Sequence, residues 1–184
     1  AASSFVQLFA AADSPSAALL AQFASGLAIM LLWPIAIYRA RRYRLTRTLW
    51  RGIRFGQDGS TLDYARIFAG RGLLTLLSLG LAYPAMRVAM HAYEMRNTRF
   101  GQGKFAFTGA YNAIFANWLA VWASLVGGAI ITFLLPSEIG PVAGLLAVIV
   151  SAIFYVRYRT AEIQIFVGGT SFQGISFASN PRFL

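Results

Sequence analysis

Few residues in this chain could carry out chemistry: it has one histidine, six acidic residues and no cysteine. Zinc and iron–sulfur sites, thiol catalysis and disulfides therefore lack their usual ligands. The single histidine, His91, follows Arg87 by four residues and precedes Glu94 by three, but no serine–histidine–acid set or carboxylate pair can be assembled around it. The sequence predicts no catalytic residue, no metal site and no cofactor, and we expect the protein not to be an enzyme.

Basic residues are the second chemical feature, with seven arginines between Arg39 and Arg54 and no acid among them. Such charge can indicate nucleic-acid binding. Here it directly follows an uncharged apolar stretch, which favours an orientation signal and attraction to anionic lipid headgroups. We expect no nucleic-acid partner. The candidate residues for lipid headgroup binding are Arg41, Arg42, Arg44 and Arg47.

The elements that position these residues follow from composition. Of the 184 residues, 58% are apolar and only 12% are charged, whereas ordinary soluble domains have about 45–50% apolar and about 25% charged residues. Uncharged stretches long enough for transmembrane helices occur at 16–38, 111–135 and 139–156. The chain 1–184 is therefore predicted to form a single integral membrane domain with three transmembrane helices.

A fourth segment, 72–93, is ambiguous because it is short for a span and contains Gly80 and Pro84 before it reaches Arg87. Basic residues mark the cytoplasmic ends of membrane helices. If the Arg39–Arg54 cluster and the basic ends of the other spans all lie on the cytoplasmic side, the segment 72–93 must begin and end on that side of the membrane. We favour a re-entrant helix, and a full crossing is the alternative.

An eight-residue pattern occurs three times, as TLWRGIRF at 48–55, TRFGQGKF from residue 98 and TSFQGISF at 170–177. Each copy begins with Thr, has an aromatic residue two positions later and ends with Phe. Its alternation and its polar or glycine-rich end are typical of a strand followed by a turn. The sequence predicts an all-α membrane protein with three clear transmembrane helices, one re-entrant or short fourth helix and three short cytoplasmic β-strands, at 48–55, 98–107 and 170–177. The alternative is interfacial loops whose aromatic side chains lie at headgroup level.

The segments RARRYR followed by TLWRGIRF, then FAGRGLL, YPAMRVAMHAYEMRNTRFGQGKFAFTG and GGTSFQGISF resemble those of the YjgN-like family of bacterial inner-membrane proteins. The resemblance covers about residues 28–180, and the second repeat is the most similar part. The chain is shorter than is usual for that family, with one apolar segment before Tyr83 where relatives have two. The resemblance implies a bacterial inner membrane location, here with the basic face cytoplasmic, and no settled activity.

Small residues recur every fourth position in the last two predicted spans, a pattern that allows close helix packing in lipid. They are Ala116, Ala120, Ser124 and Gly128, followed by Ala143, Ala147 and Ser151. We interpret them as packing contacts within the chain or as a docking face for another membrane protein.

The function predicted from these features is that of an accessory or scaffold subunit. It would dock to a larger membrane assembly, through a membrane-protein partner or as a homo-oligomer, and contact membrane lipid. The alternative is a small oligomeric transporter or channel that uses the broken helix near Gly80, Pro84 and Arg87, because discontinuous helices at membrane depth mark substrate sites.

Overall fold

Helices and short strands alternate along residues 15–177, the part of the chain described by the computed structural model. The helices are α1 (Pro15–Arg47), α2 (Thr61–Leu77), α3 (Tyr83–Arg96), α4 (Asn112–Leu134) and α5 (Gly140–Gly168). The strands are β1 (Leu49–Trp50), β2 (Ile53–Gln57), β3 (Thr98–Phe100), β4 (Gly103–Phe107), β5 (Thr170–Phe172) and β6 (Ile175–Ser176).

Three of these helices, α1, α4 and α5, are long and apolar enough to cross a membrane. They contain most or all of the predicted spans 16–38, 111–135 and 139–156. The prediction of three helices with the length and composition of membrane spans is therefore confirmed. Helices α1 and α5 continue past their apolar parts into segments that carry arginines. Because an α-helix rises about 1.5 Å per residue, Arg47 at the end of α1 lies about 14 Å beyond Tyr38, where the apolar segment ends.

The ambiguous segment 72–93 contains the end of α2, a turn and most of α3. Ser60 caps the start of α2 by accepting hydrogen bonds from two backbone N–H groups. The turn that ends α2 has positive φ at Leu79 and at Gly80, where φ is 92°, a conformation that glycine adopts readily. Since β2 ahead of α2 pairs with β3 behind α3, the two helices leave and rejoin the same sheet. Their depth in a membrane stays a prediction.

The strands form one antiparallel sheet in the order β1 to β6. This corrects the prediction of three strands, because each repeat is a hairpin of two strands joined by two residues. The turns have positive φ at Arg51 and Gly52, at Gly101, and at Gln173 and Gly174, as the tight turns of hairpins require. Each turn has only two residues, and the alternation of side chains continues on both sides of it. In the sequence, each hairpin therefore resembles a single strand.

The threonine that begins each repeat joins the helix to its hairpin. The Oγ1 atoms of Thr48, Thr98 and Thr170 each donate a hydrogen bond to the backbone carbonyl four residues earlier, at 2.9, 2.7 and 2.6 Å. The last carbonyls of a helix have no partner within the helix. These threonines therefore satisfy one such carbonyl each where the helix ends and the strand begins.

In the part of the chain that the structure describes, the buried core consists of two small clusters. One is formed by Tyr38, Tyr64 and Met90. The other contains Val88, Phe107, Ile114, Val121 and Tyr158. Most large apolar side chains of the three long helices are exposed, as expected for helices whose surroundings are lipid.

Candidate functional site

The most buried charged residue described is Glu162 on α5, whose side chain is 1% exposed. Its Oε1 accepts a hydrogen bond from Arg87 Nε on α3 at 2.9 Å, and its other oxygen pairs with Arg159 one turn earlier. The three-residue spacing of Arg159 and Glu162 indicates this second pair in the sequence. The pair with Arg87 joins residues that are 75 positions apart, and no local spacing predicts it.

A second carboxylate, Glu94 on α3, connects three helices. It lies 3.2 Å from Arg41 Nε on α1 and accepts a hydrogen bond of 2.7 Å from the hydroxyl of Tyr64 on α2. Burial and the neighbouring carboxylate raise the pKa of Tyr64 above its ordinary value, so the phenol stays protonated and donates. Within residues 15–177, no three histidine or acidic side chains come together to hold a metal ion.

His91 lies on α3 between these two ion-pair clusters. Its ring stacks on Phe166 with the centroids 4.0 Å apart, and Phe107 meets it edge-on. Burial lowers the pKa of His91 to about 4, and the charges of Arg41 and Arg87 act in the same direction. The imidazole is therefore neutral at neutral pH. It borders a cavity of about 270 Å³ whose other walls are mostly apolar.

The residues predicted for transport, Gly80, Pro84 and Arg87, lie in and just after the turn between α2 and α3. Trp118 Nε1 on α4 donates to the carbonyl of Gly80 at 2.9 Å, and Trp122 makes the equivalent bond to Leu79 at 2.7 Å. The turn thus lies against the middle of α4. Pro84 is fully buried at the start of α3, and Arg87 is paired with Glu162, so each residue has a packing contact. Transport stays a prediction.

Four of the seven small residues lie where α4 meets α5. The hydroxyls of Ser124 and Ser151 are 2.8 Å apart. A side chain at Gly128 would overlap Ala147, because an added Cβ would lie 2.2 Å from the Cβ of Ala147. These contacts are within the chain. Of the other three residues, Ala116 is exposed, whereas Ala120 and Ala143 are half-buried.

A family model described as a bacterial protein of unknown function, DUF898, matches residues 2–184 of the chain. The chain belongs to the DUF898 family. This confirms the resemblance to YjgN-like proteins. No curated protein and no solved structure matches it. With three helices long and apolar enough to cross a bilayer, the DUF898 chain is a bacterial membrane protein.

The four candidate residues for lipid headgroup binding in the DUF898 chain divide into two groups. Arg41 is half-buried against Glu94, whereas Arg42, Arg44 and Arg47 are exposed on the last turns of α1. The Arg47 guanidinium lies 4.9 Å from the centre of the Tyr43 ring. The four candidates therefore differ. Arg41 connects α1 to α3 through Glu94, whereas the side chains of the other three are exposed.

Proposed function

We propose that this DUF898 protein is a non-catalytic scaffold subunit of the bacterial inner membrane. Its first helix docks laterally against another membrane protein, and the basic end of that helix binds anionic lipid on the cytoplasmic side. The orientation is supported by the concentration of arginines at the sheet-side end of α1.

The docking proposal depends on one observation, the bare surface of α1. Residues 18–33 of this helix are all exposed, and Pro34 is the first buried residue after them. These residues would cover about 24 Å of a hydrocarbon core that is about 30 Å thick. Ala21 and Ser25 on this segment have the spacing that allows close approach of a second helix. The segment therefore has the length and the small residues that a lateral helix contact needs.

A photo-crosslinking residue at Phe23, whose side chain is 74% exposed, tests the docking directly. On irradiation of native membranes we expect one discrete protein adduct, because a docked partner excludes lipid from this face. Mass spectrometry would identify the partner. The matched control places the same residue at Phe133 on α4, which is 89% exposed.

Only lipid adducts at Phe23, or the same adducts at both positions, would contradict docking through α1. An adduct of twice the mass of the chain would assign this face to self-association and would count against a scaffold for another protein.

The lipid proposal depends on Arg42, Arg44 and Arg47, which are exposed at the end of a helix long enough to cross the membrane. Each basic residue near an anionic surface contributes about 1 kcal/mol of attraction. Since Arg41 is held by Glu94, we expect it to contribute little to lipid binding.

Replacing Arg42, Arg44 and Arg47 together by Gln should lower the preference for phosphatidylglycerol over phosphatidylcholine about tenfold or more, because up to three favourable charge contacts disappear. Native mass spectrometry of protein in nanodiscs with equal amounts of the two lipids would measure the bound ratio. The matched control removes three charges from the hairpins instead: Arg51→Gln, Arg54→Gln and Lys104→Gln. An equal loss in both triple variants would mean that only the net charge matters.

A further inference from the structure

A groove of about 460 Å³ lies between the turn that joins α2 to α3 and the start of α4. Its polar lining includes Arg71 on α2, and Tyr111 and Asn112 where α4 begins. Leu81 in the turn and Phe115 on the first turn of α4 form part of its apolar lining. Small-molecule sites usually measure about 300–1,000 Å³, so the groove is large enough for a ligand.

The two ends of the groove differ in polarity. Arg71 is the last charged residue before the uncharged stretch 72–86, and Asn112 is the first residue of a helix that carries no charge. Both therefore lie where the chain changes from charged to apolar. The other end is at the turn, which begins at Ser78, about 10 Å along α2 from Arg71. The Ser78 hydroxyl is already hydrogen-bonded to backbone groups, so that end of the groove is mainly apolar.

Arg71 brings a positive charge to the polar end. The nearest arginines along the chain, Arg66 and Arg87, each pair with a carboxylate. Within residues 15–177, no carboxylate lies within ion-pair distance of Arg71. The planar guanidinium group can donate two parallel hydrogen bonds to a phosphate group. The polar end of the groove therefore suits a phosphate, and the mainly apolar end suits a hydrocarbon chain.

We infer that this groove binds one membrane phospholipid, with its phosphate on Arg71 and an acyl chain against Leu81 and Phe115. One wall of the groove is α4, which is long and apolar enough to cross a bilayer, so a lipid could enter from the membrane. The site differs from the lipid contact proposed for α1, because it recognises the phosphate group and not the net charge of the headgroup. The inference goes beyond the proposed function and does not depend on what α1 contacts.

Photoreactive lipids test the site. The protein would be reconstituted in phosphatidylcholine vesicles that contain a small amount of phosphatidylethanolamine or of diacylglycerol, each with a diazirine at the same carbon of one acyl chain. Neither probe has a net charge, and only the first has a phosphate. After irradiation, mass spectrometry would count the adducts at Leu81 and Phe115 relative to those at Phe133, an exposed residue of α4. We expect about tenfold more groove adducts with the phosphatidylethanolamine probe, because hydrogen bonds to charged groups are strong.

Arg71→Gln should make the relative yields of the two probes about equal, a loss of about tenfold. Arg71 is exposed, so we expect this variant to fold. Ala85→Trp places a large side chain in the groove from α3 and should lower the yield with both probes. The matched control is Arg157→Gln, because Arg157 is also exposed and directly follows the uncharged stretch of α5. We expect this control to leave the preference for the phosphatidylethanolamine probe unchanged.

Three results would overturn the inference. Equal relative yields of the two probes in the unaltered protein would mean that the groove does not recognise a phosphate. A preference that survives Arg71→Gln, or that falls equally in Arg71→Gln and Arg157→Gln, would mean that Arg71 does not hold the phosphate. If folded Ala85→Trp protein gave the same yields as the unaltered protein, the lipid would lie outside the groove.

Discussion

Glu162→Gln is expected to lower the free energy of unfolding by about 2–3 kcal/mol. This is less than the usual loss on breaking a buried ion pair, because the arginine partners of Glu162 are partly exposed to solvent. The carboxylate is buried, whereas the side chains of its two partners, Arg87 and Arg159, are 34% and 40% exposed. Glutamine keeps the volume but leaves both guanidinium groups without a charged partner. Equilibrium unfolding in mixed micelles would measure the loss.

Asp63→Asn is the matched control for this variant. Asp63 pairs with Arg66 at 2.9 Å, with the same three-residue spacing as Arg159 and Glu162. In this pair, however, the side chains of both residues are exposed. Exposed pairs contribute about 0–1 kcal/mol, so we expect a much smaller loss. If the two variants lost the same amount, the pair between α3 and α5 would contribute no more than a surface ion pair.

The long-range ion pairs show how the repeats are connected. Each repeat consists of a helix, a threonine and a hairpin, led by α1, α3 and α5 in turn. Arg41 with Glu94 connects the first leading helix to the second, and Arg87 with Glu162 connects the second to the third. The hairpins are joined by strand pairing. The repeats are therefore held together at two levels, by backbone hydrogen bonds in the sheet and by carboxylates between the helices.

The sequence could predict the features that depend on neighbouring residues. Long uncharged stretches identified the three helices, because a membrane span needs about 20 apolar residues whatever it packs against. The pairs of Asp63 with Arg66 and Arg159 with Glu162 followed from helical spacing. The threonine repeat indicated where the strands lie, because its alternation of side chains is local.

Other features could not be predicted because tertiary packing decides them. Nothing near Arg87 in the sequence indicates that its partner is Glu162 and not Glu94, since the choice depends on how α3 packs against α5. The helix break at Gly80 is stabilised by Trp118 and Trp122 from another helix. The hairpin turns did leave a signal, since Gly52 and Gly174 stand at the second turn position of their repeats.

Gly128→Ala should destabilise the protein by about 1–3 kcal/mol, the usual cost of overpacking a close contact. Alanine normally favours a helix over glycine by about 1 kcal/mol, but here its Cβ would lie 2.2 Å from that of Ala147. Helices α4 and α5 would have to separate, which would also lengthen the 2.8 Å hydrogen bond between Ser124 and Ser151. Thermal unfolding in mild detergent would measure the change.

The preceding residue supplies the control, because a Cβ at Gly127 has no atom within 4 Å. Gly127→Ala should therefore be neutral or stabilise by up to about 1 kcal/mol through helix propensity. The double variant Gly128→Ala with Ala147→Gly has one methyl group at this contact, on α4 in place of α5. It should therefore restore part of the lost stability. If Gly127→Ala and Gly128→Ala changed the stability in the same direction, or if Ala147→Gly restored no stability to Gly128→Ala, close contact at Gly128 would not be what holds α4 to α5.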